Sequence, residues 1–260
     1  MNKIYYLINF FLYIFILSNP AFSKEYNLNE IISGDLEFDK RLNLSLSDGK
    51  WKVIGNNKTF KKFPFKSLML IKVEENNLME AIWLEKTSLA TDDISIVDNE
   101  INLLTFKNKD LACSESLDNY YFKYYKKGST HNCFLIRYLD TALEKKKYSE
   151  SKDKSTFAVS NELEIIFTKF KGNLGRIINY TNNQNINLPK NMIESFHSYF
   201  SRLSGSNWYI VRHYINPNTL VQNNNSDFKN LMNTLILNKK EEHSELEKKF
   251  KAKKKHFLTF

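Results

Sequence analysis

Two cysteines and five histidines are the side chains of this 260-residue chain best suited to nucleophilic, redox or metal chemistry. Cys113 and Cys133 are the only cysteines, with nineteen residues between them. Two thiolates alone make a poor zinc site, which takes four ligands, and in an exported chain a lone pair points to one disulfide. Closing a loop of about 20 residues stabilises a fold by roughly 3 kcal/mol in the chain-entropy account. His131, two residues before Cys133, would activate a thiolate only if that disulfide did not form. Among His131, His197, His213, His243 and His256, no two are spaced to share a helix face. His243 and Glu247 are four apart and do share one, but polar pairs at that spacing are frequent on helix surfaces. No metal and no other cofactor is expected.

The carboxylates Asp92, Asp93, Asp98 and Glu100 lie in stretches with turn chemistry, so they read as solvated turn formers rather than an acid–base pair. Gly172-Asn173-Leu174-Gly175, between Lys171 and Arg176, has the composition of a phosphate-clamping loop and nothing more specific. A plain hairpin turn is expected there. The chain carries no Gly-x-Ser-x-Gly elbow, His-Glu-x-x-His helix, phosphate loop or dinucleotide fingerprint.

Two stretches carry binding chemistry instead. Within the cysteine loop, Tyr120, Tyr121, Phe122, Tyr124 and Tyr125 interleave with Lys123, Lys126 and Lys127. Exposed, such rings stack on sugars or sit at a lipid headgroup while the lysines meet anions; at helical spacing half of them belong to a core. The second stretch is the C-terminal tail. Lys248, Lys249, Lys251, Lys253, Lys254 and Lys255 are nearly contiguous, with Phe250 and Phe257 among them. A basic amphipathic end of this kind suits an anionic surface, each lysine contributing roughly 1 kcal/mol. The competing reading is a solvated helix with pairs such as Glu245 to Lys249.

The N-terminus sets the compartment in which these groups would act. Lys3 precedes fourteen residues, Ile4 to Leu17, that are apolar except for Asn9, and Pro20 then leads into Ala21-Phe22-Ser23. This is the pattern of a cleaved secretory signal over residues 1–23. As a helix the run rises only about 21 Å, short of a hydrocarbon core of roughly 30 Å. The formal net charge of +9 becomes +8 without Lys3. The partners that suit a basic exported chain are an anionic membrane surface or an acidic envelope polymer, with nucleic acid disfavoured. Abundant Lys, Asn, Ile, Phe and Tyr beside scarce Gly and Pro is also what an AT-rich coding sequence produces, so the charge alone assigns no partner.

The elements that must position these groups follow from periodicity. Leu42, Leu44 and Leu46 alternate with polar residues and meet Asp48-Gly49, which predicts a hairpin with Trp51 to Ile54. Leu68–Val73 and Leu78–Leu84 predict a second hairpin turning at Glu74-Glu75-Asn76-Asn77. Short strands are expected at Ile94–Ile96, Ile101–Phe106, Phe134–Leu139 and Trp208–Ile215, the last stopped by Asn216-Pro217. Leu163–Phe170 and Arg176–Tyr180 would flank the Gly172–Gly175 turn as a hairpin, with a helix over Glu162–Phe170 as the alternative. Helices are expected over roughly 116–127, from Pro189 to Leu203 with Gly205 as its stop, and from Ser226 onward with Phe228, Leu231, Met232, Leu235 and Leu246 on one face. A short helical turn is expected at Leu28–Ile32, and residues 144–156 read as an exposed loop or a weak domain boundary.

These elements give an α+β protein. It would be a single exported domain over 24–260, a mainly antiparallel sheet covered by C-terminal amphipathic helices and clamped by one disulfide. The expected role is a non-enzymatic envelope accessory or binding protein. The alternatives are an exported hydrolase acting on an envelope polymer, and a peripheral membrane-surface protein using its basic C-terminal helix.

Overall fold

The computed structural model describes residues 24–39, 42–59, 65–88, 119–127, 130–146, 173–201, 207–222 and 228–251. Its strands are β1 (Ile31–Ile32), β2 (Asp35–Asp39), β3 (Leu42–Ser45), β4 (Trp51–Thr59), β5 (Phe65–Glu74), β6 (Asn77–Ser88), β7 (Asn119–Lys127), β8 (Thr130–Asp140), β9 (Asn191–Ser201) and β10 (Asn207–Ile215). The helices are α1 (141–146), α2 (Asn173–Asn183), α3 (Pro217–Gln222) and α4 (Phe228–Lys251). Eight strands form one sheet in the order β1-β4-β5-β6-β10-β9-β8-β7, and β2 and β3 form a separate pair. Every ladder between named strands is antiparallel, so the α+β reading with a mainly antiparallel sheet holds.

The β5–β6 hairpin forms as its turn chemistry predicts. Glu74 pairs with Asn77, and the two residues between them, Glu75 and Asn76, have φ of 47° and 62°. Two successive positive φ values define the tight turn whose twist matches its strands. The backbone of Asn76 and Leu78 also bonds Asn187, tying the hairpin to the segment after α2.

Five sequence expectations are corrected. Asp48-Gly49 does not close a hairpin: the strands on either side exist, but β3 pairs with β2 while β4 lies between β1 and β5. Gly49, at φ 117°, turns the chain from the small sheet into the large one. Residues 119–127 are strand rather than helix. With five of its nine residues aromatic, both a 3.6 and a 2.0 period find apolar partners, and pairing with β8 decides the matter. Residues 191–201 are also strand, because β9 lies between β8 and β10 and Met192 to Phe200 are all buried. A strand covered on both faces shows no alternation to read. Asn173 to Asn183, by contrast, is helix where a Gly-Asn-Leu-Gly turn and strand were expected. Leu28–Ile32 is a turn running into β1 rather than a helical turn. The expected signal and the strands at Ile94–Ile96, Ile101–Phe106 and Leu163–Phe170 lie outside the described residues. So do Cys113 and residues 147–156 of the expected loop, whose first residues, 144–146, belong to α1.

Both faces of the large sheet are covered. On one face lie the β2–β3 pair, through Leu36, Phe38, Leu42 and Leu44, and α4, through Met232, Leu235 and Leu246. These pack on Trp51, Val53, Leu70, Leu84, Phe134 and Ile193, among others. On the opposite face α2 places Leu174, Ile177 and Ile178 against Ile71, Ala81, Leu139, Met192 and Tyr214. Asp140 caps α1, its Oδ1 accepting from the backbone N–H of Ala142 and Leu143. Cys133 is fully buried on β8, on the face away from α4.

Candidate functional site

The polar residues with chemical potential lie between α4 and the sheet. Alternation along β9 turns Ser195 and His197 toward the helix, and register places His197 opposite Phe134 of β8 and Val211 of β10. On β10, His213 points the same way and pairs with Ile82; Glu80 of β6 lies diagonal to it. From above, Leu235, Lys239, His243 and Leu246 follow one another at four-, four- and three-residue steps along one stripe of α4, with Glu242 beside His243. The apolar ends of that stripe pack into the core and force its polar middle onto the sheet.

Two clusters result. In the first, Ser195 Oγ is 3.0 Å from His197 Nε2, and His197 Nδ1 is 2.9 Å from His243 Nδ1. Phe134 stacks on both rings, with centroids at 4.5 and 4.9 Å. In the second, His213 Nε2 is 2.6 Å from Glu80 Oε2 and His213 Nδ1 is 2.9 Å from Lys239 Nζ. Lys239 also donates to Glu242 at 2.5 Å, and Glu80 accepts from Ser47 Oγ at 2.5 Å and lies 3.5 Å from Lys72.

Burial and neighbours set the charges. Burial depresses His197, and the nearby His243, Lys239 and His213 depress it further, well below the ordinary histidine value. Burial and Lys239 likewise lower His213, outweighing the pull of Glu80 and Glu242. Burial pushes the Glu80 carboxyl up, but His213, Ser47 and Lys72 together hold it at about 2. At neutral pH the Glu80–His213 contact is therefore a neutral imidazole donating to a carboxylate, not an ion pair.

Ser195, His197 and His243 stand in the order of nucleophile, base and orienting group, but Ser195 is 0% exposed. The space beside them is about 10 Å³, lined by His197, Tyr199, Tyr209, Val211, His243 and Leu246. That holds at most one water and no substrate. The arrangement can relay a proton and hold α4 in place; it presents no nucleophile to a ligand.

A third polar cluster lies on the opposite face. Glu194, 0% exposed, accepts from Arg137 Nε at 2.5 Å and from Arg212 Nη1 at 2.6 Å. The Arg212 guanidinium also lies 4.5 Å from the Phe196 ring centroid. Burial raises the Glu194 carboxyl, and the two guanidinium groups outweigh it to bring the value below the usual carboxylate range. Sequence reasoning missed this triad. Its one signal is a charge placed inside an apolar run: Arg137 within Phe134–Leu139, Arg212 within Trp208–Ile215.

The residues singled out from sequence are not brought together. Tyr120 is 49% exposed and edge-on to Tyr138 at 6.4 Å. Tyr121 is half-buried beneath the Lys240 ammonium, 4.1 Å from its ring centroid. Tyr124 and Tyr125 lie on β7, with side chains outside the described residues. Lys248 and Lys249 are exposed near the far end of α4, where Lys249 reaches the Asn43 carbonyl at 3.4 Å. Lys251 ends α4, and Lys253, Lys254, Lys255 and His256 lie outside the described residues, as do Asp92, Asp93, Asp98 and Glu100. His131 lies on β8 opposite Phe200. His243 is buried and faces His197 rather than the helix surface, with Glu247 lining the same small space. Among the described residues no group of three His, Cys, Asp or Glu side chains is placed to hold a metal, and no helix is long and apolar enough to cross a membrane. Comparison of the chain with protein-family models, with curated proteins and with solved structures finds no match.

Proposed function

We propose that the mature protein, residues 24–260, is exported and acts in the cell envelope as a non-enzymatic accessory protein that binds an anionic surface through the lysine-rich end of α4. The observation that carries this reading is a separation of polar groups. Among the described residues His197, His213, His243 and Glu80 are enclosed beneath α4, whereas Lys248 and Lys249 stand exposed where Leu246 still anchors the helix to the core. The sequence continues the same charge through Lys251, Lys253, Lys254 and Lys255. The signal-like residues 1–23 and a Cys113–Cys133 disulfide fit the same compartment, with Cys133 already held in the core of β8. A hydrolase reading is weaker, because the His213–Glu80 pair is closed in by Lys239, Ser47 and Lys72.

Co-sedimentation of the mature protein with phosphatidylglycerol-containing and with neutral phosphatidylcholine vesicles tests this. At roughly 1 kcal/mol per lysine, Lys248→Gln with Lys249→Gln weakens binding to the anionic vesicles by about 30-fold at low salt, with little change on neutral ones. Equal recovery of the unmodified protein on both vesicle types overturns the proposal.

A further inference from the structure

We propose that the two histidine clusters make α4 a pH-gated cover, docked on the sheet while their imidazoles are neutral and released when they are protonated. The bonds themselves set this requirement. A 2.9 Å contact between His197 Nδ1 and His243 Nδ1 has room for one proton, since one nitrogen donates and the other accepts. Charging both rings puts a proton on each Nδ1, which sets two N–H groups against each other and breaks the contact, so the docked pair excludes its second positive charge. His213 meets a similar restriction. Its Nδ1 accepts from the Lys239 ammonium, so its proton sits on Nε2 and is donated to Glu80. Charging His213 requires a proton at Nδ1, where Lys239 already stands 2.9 Å away.

In each cluster one partner belongs to the sheet (His197 of β9, His213 of β10) and the other to α4 (His243, Lys239). Protonation therefore cuts the ties between helix and sheet rather than ties within either. The charged and titratable groups facing these rings are Lys239, Glu242 and Glu247 of α4, Glu80 of β6, Lys72 of β5 and Tyr209 of β10. Glu80, 2.6 Å from His213, is shared with Ser47 and Lys72, so it does not offset a full imidazolium charge on its own. Burial and the neighbouring Lys239 favour the neutral rings in the same direction.

If docked α4 excludes the proton and released α4 admits it at an ordinary histidine pKa of about 6.5, each titrating site multiplies the open population by about 11 at pH 5.5. His213 and the His197–His243 pair together give about 100-fold. Hydrogen exchange of the mature protein, corrected for intrinsic rates, reads this directly. Protection of the α4 amides should fall about 100-fold between pH 7.5 and 5.5, while that of the β5–β6 hairpin falls far less. His213→Gln keeps a donor for Glu80 and an acceptor for Lys239 without a titration, and should reduce the loss to about 10-fold. Unchanged α4 protection overturns the proposal, as does an equal loss in β5–β6, which would mean global unfolding. Should the variant fail to fold, imidazole NMR of the unmodified protein decides: a His197 or His213 ring titrating near 6.5 with α4 still docked also overturns it.

Discussion

Replacing Glu194 with Gln tests how far this sheet depends on charge hidden inside it. The substitution keeps side-chain shape and one carbonyl acceptor but removes the carboxylate that Arg137 and Arg212 share. Arg212 is only 4% exposed. It keeps the face of Phe196 but loses this countercharge where water cannot replace it. Breaking a buried ion pair from one side costs about 3–5 kcal/mol, because the remaining charge stays desolvated. For a domain of this size, each kcal/mol lowers Tm by about 2–4 °C, so the expected fall is about 6–20 °C. Thermal and urea unfolding followed by circular dichroism would measure it, with Glu74→Gln as a control, since that side chain is 52% exposed. Adding Arg212→Met to Glu194→Gln should recover part of the loss, because it withdraws the uncompensated charge. A Glu194→Gln variant melting within 2 °C of the parent would refute the reasoning, showing that the triad is hydrated or neutral in solution.

Two further outcomes follow from the same interior. Glu80 is held at about 2, below its usual 4.5. Its contribution is therefore complete above pH 4.5 and is lost as pH falls through 2, by about 3 kcal/mol in total. Urea titrations between pH 5 and 2 should show a shallower decline for Glu80→Gln than for the parent, and parallel curves would contradict the assignment. Trp51 is 0% exposed, with its indole N–H donating to the Ser47 carbonyl at 3.0 Å. Trp51→Ala should cost about 3–5 kcal/mol in the same assay, and Trp51→Phe distinctly less.

The parts of the fold that sequence discloses are those where one signal stands unopposed. Leu68–Val73 and Leu78–Leu84 flank a Glu-Asn turn that tolerates positive φ, and Trp208–Ile215 ends at a proline that cannot continue a ladder. In α4 the stripe Leu231, Met232, Leu235 and Leu246 has no competing period, and all four residues are buried. Where two signals coincide, tertiary pairing decides. Pro189 and Gly205 bracket β9 as if it were a helix, and its apolar residues also fit helical spacing. Buried between them, Glu194 serves the arginine triad, Ser195 and His197 serve a histidine cluster, and Ser198 accepts from the Trp208 indole N–H at 2.7 Å. The histidine clusters were hidden for a related reason. His197, His213 and His243 share no local spacing, and only the registers β6–β10–β9 and the docking of α4 bring them together.

The order β6-β10-β9 has a consequence for how the chain is completed. β4–β6 form one meander and β7–β9 another, and the strand that joins them, β10, is the last of the ten in sequence. A chain delivered N-terminus first, by a ribosome or through a translocation pore, presents two half-sheets with bare inner edges until residues 207–215 emerge. Those edges are the surfaces on which strands of another molecule would pair. The keystone is the last strand to arrive, and α4 follows it after α3 to close the histidine-lined face. Truncation just before residue 207 would therefore remove the seam, leaving two sticky halves rather than a slightly shorter protein.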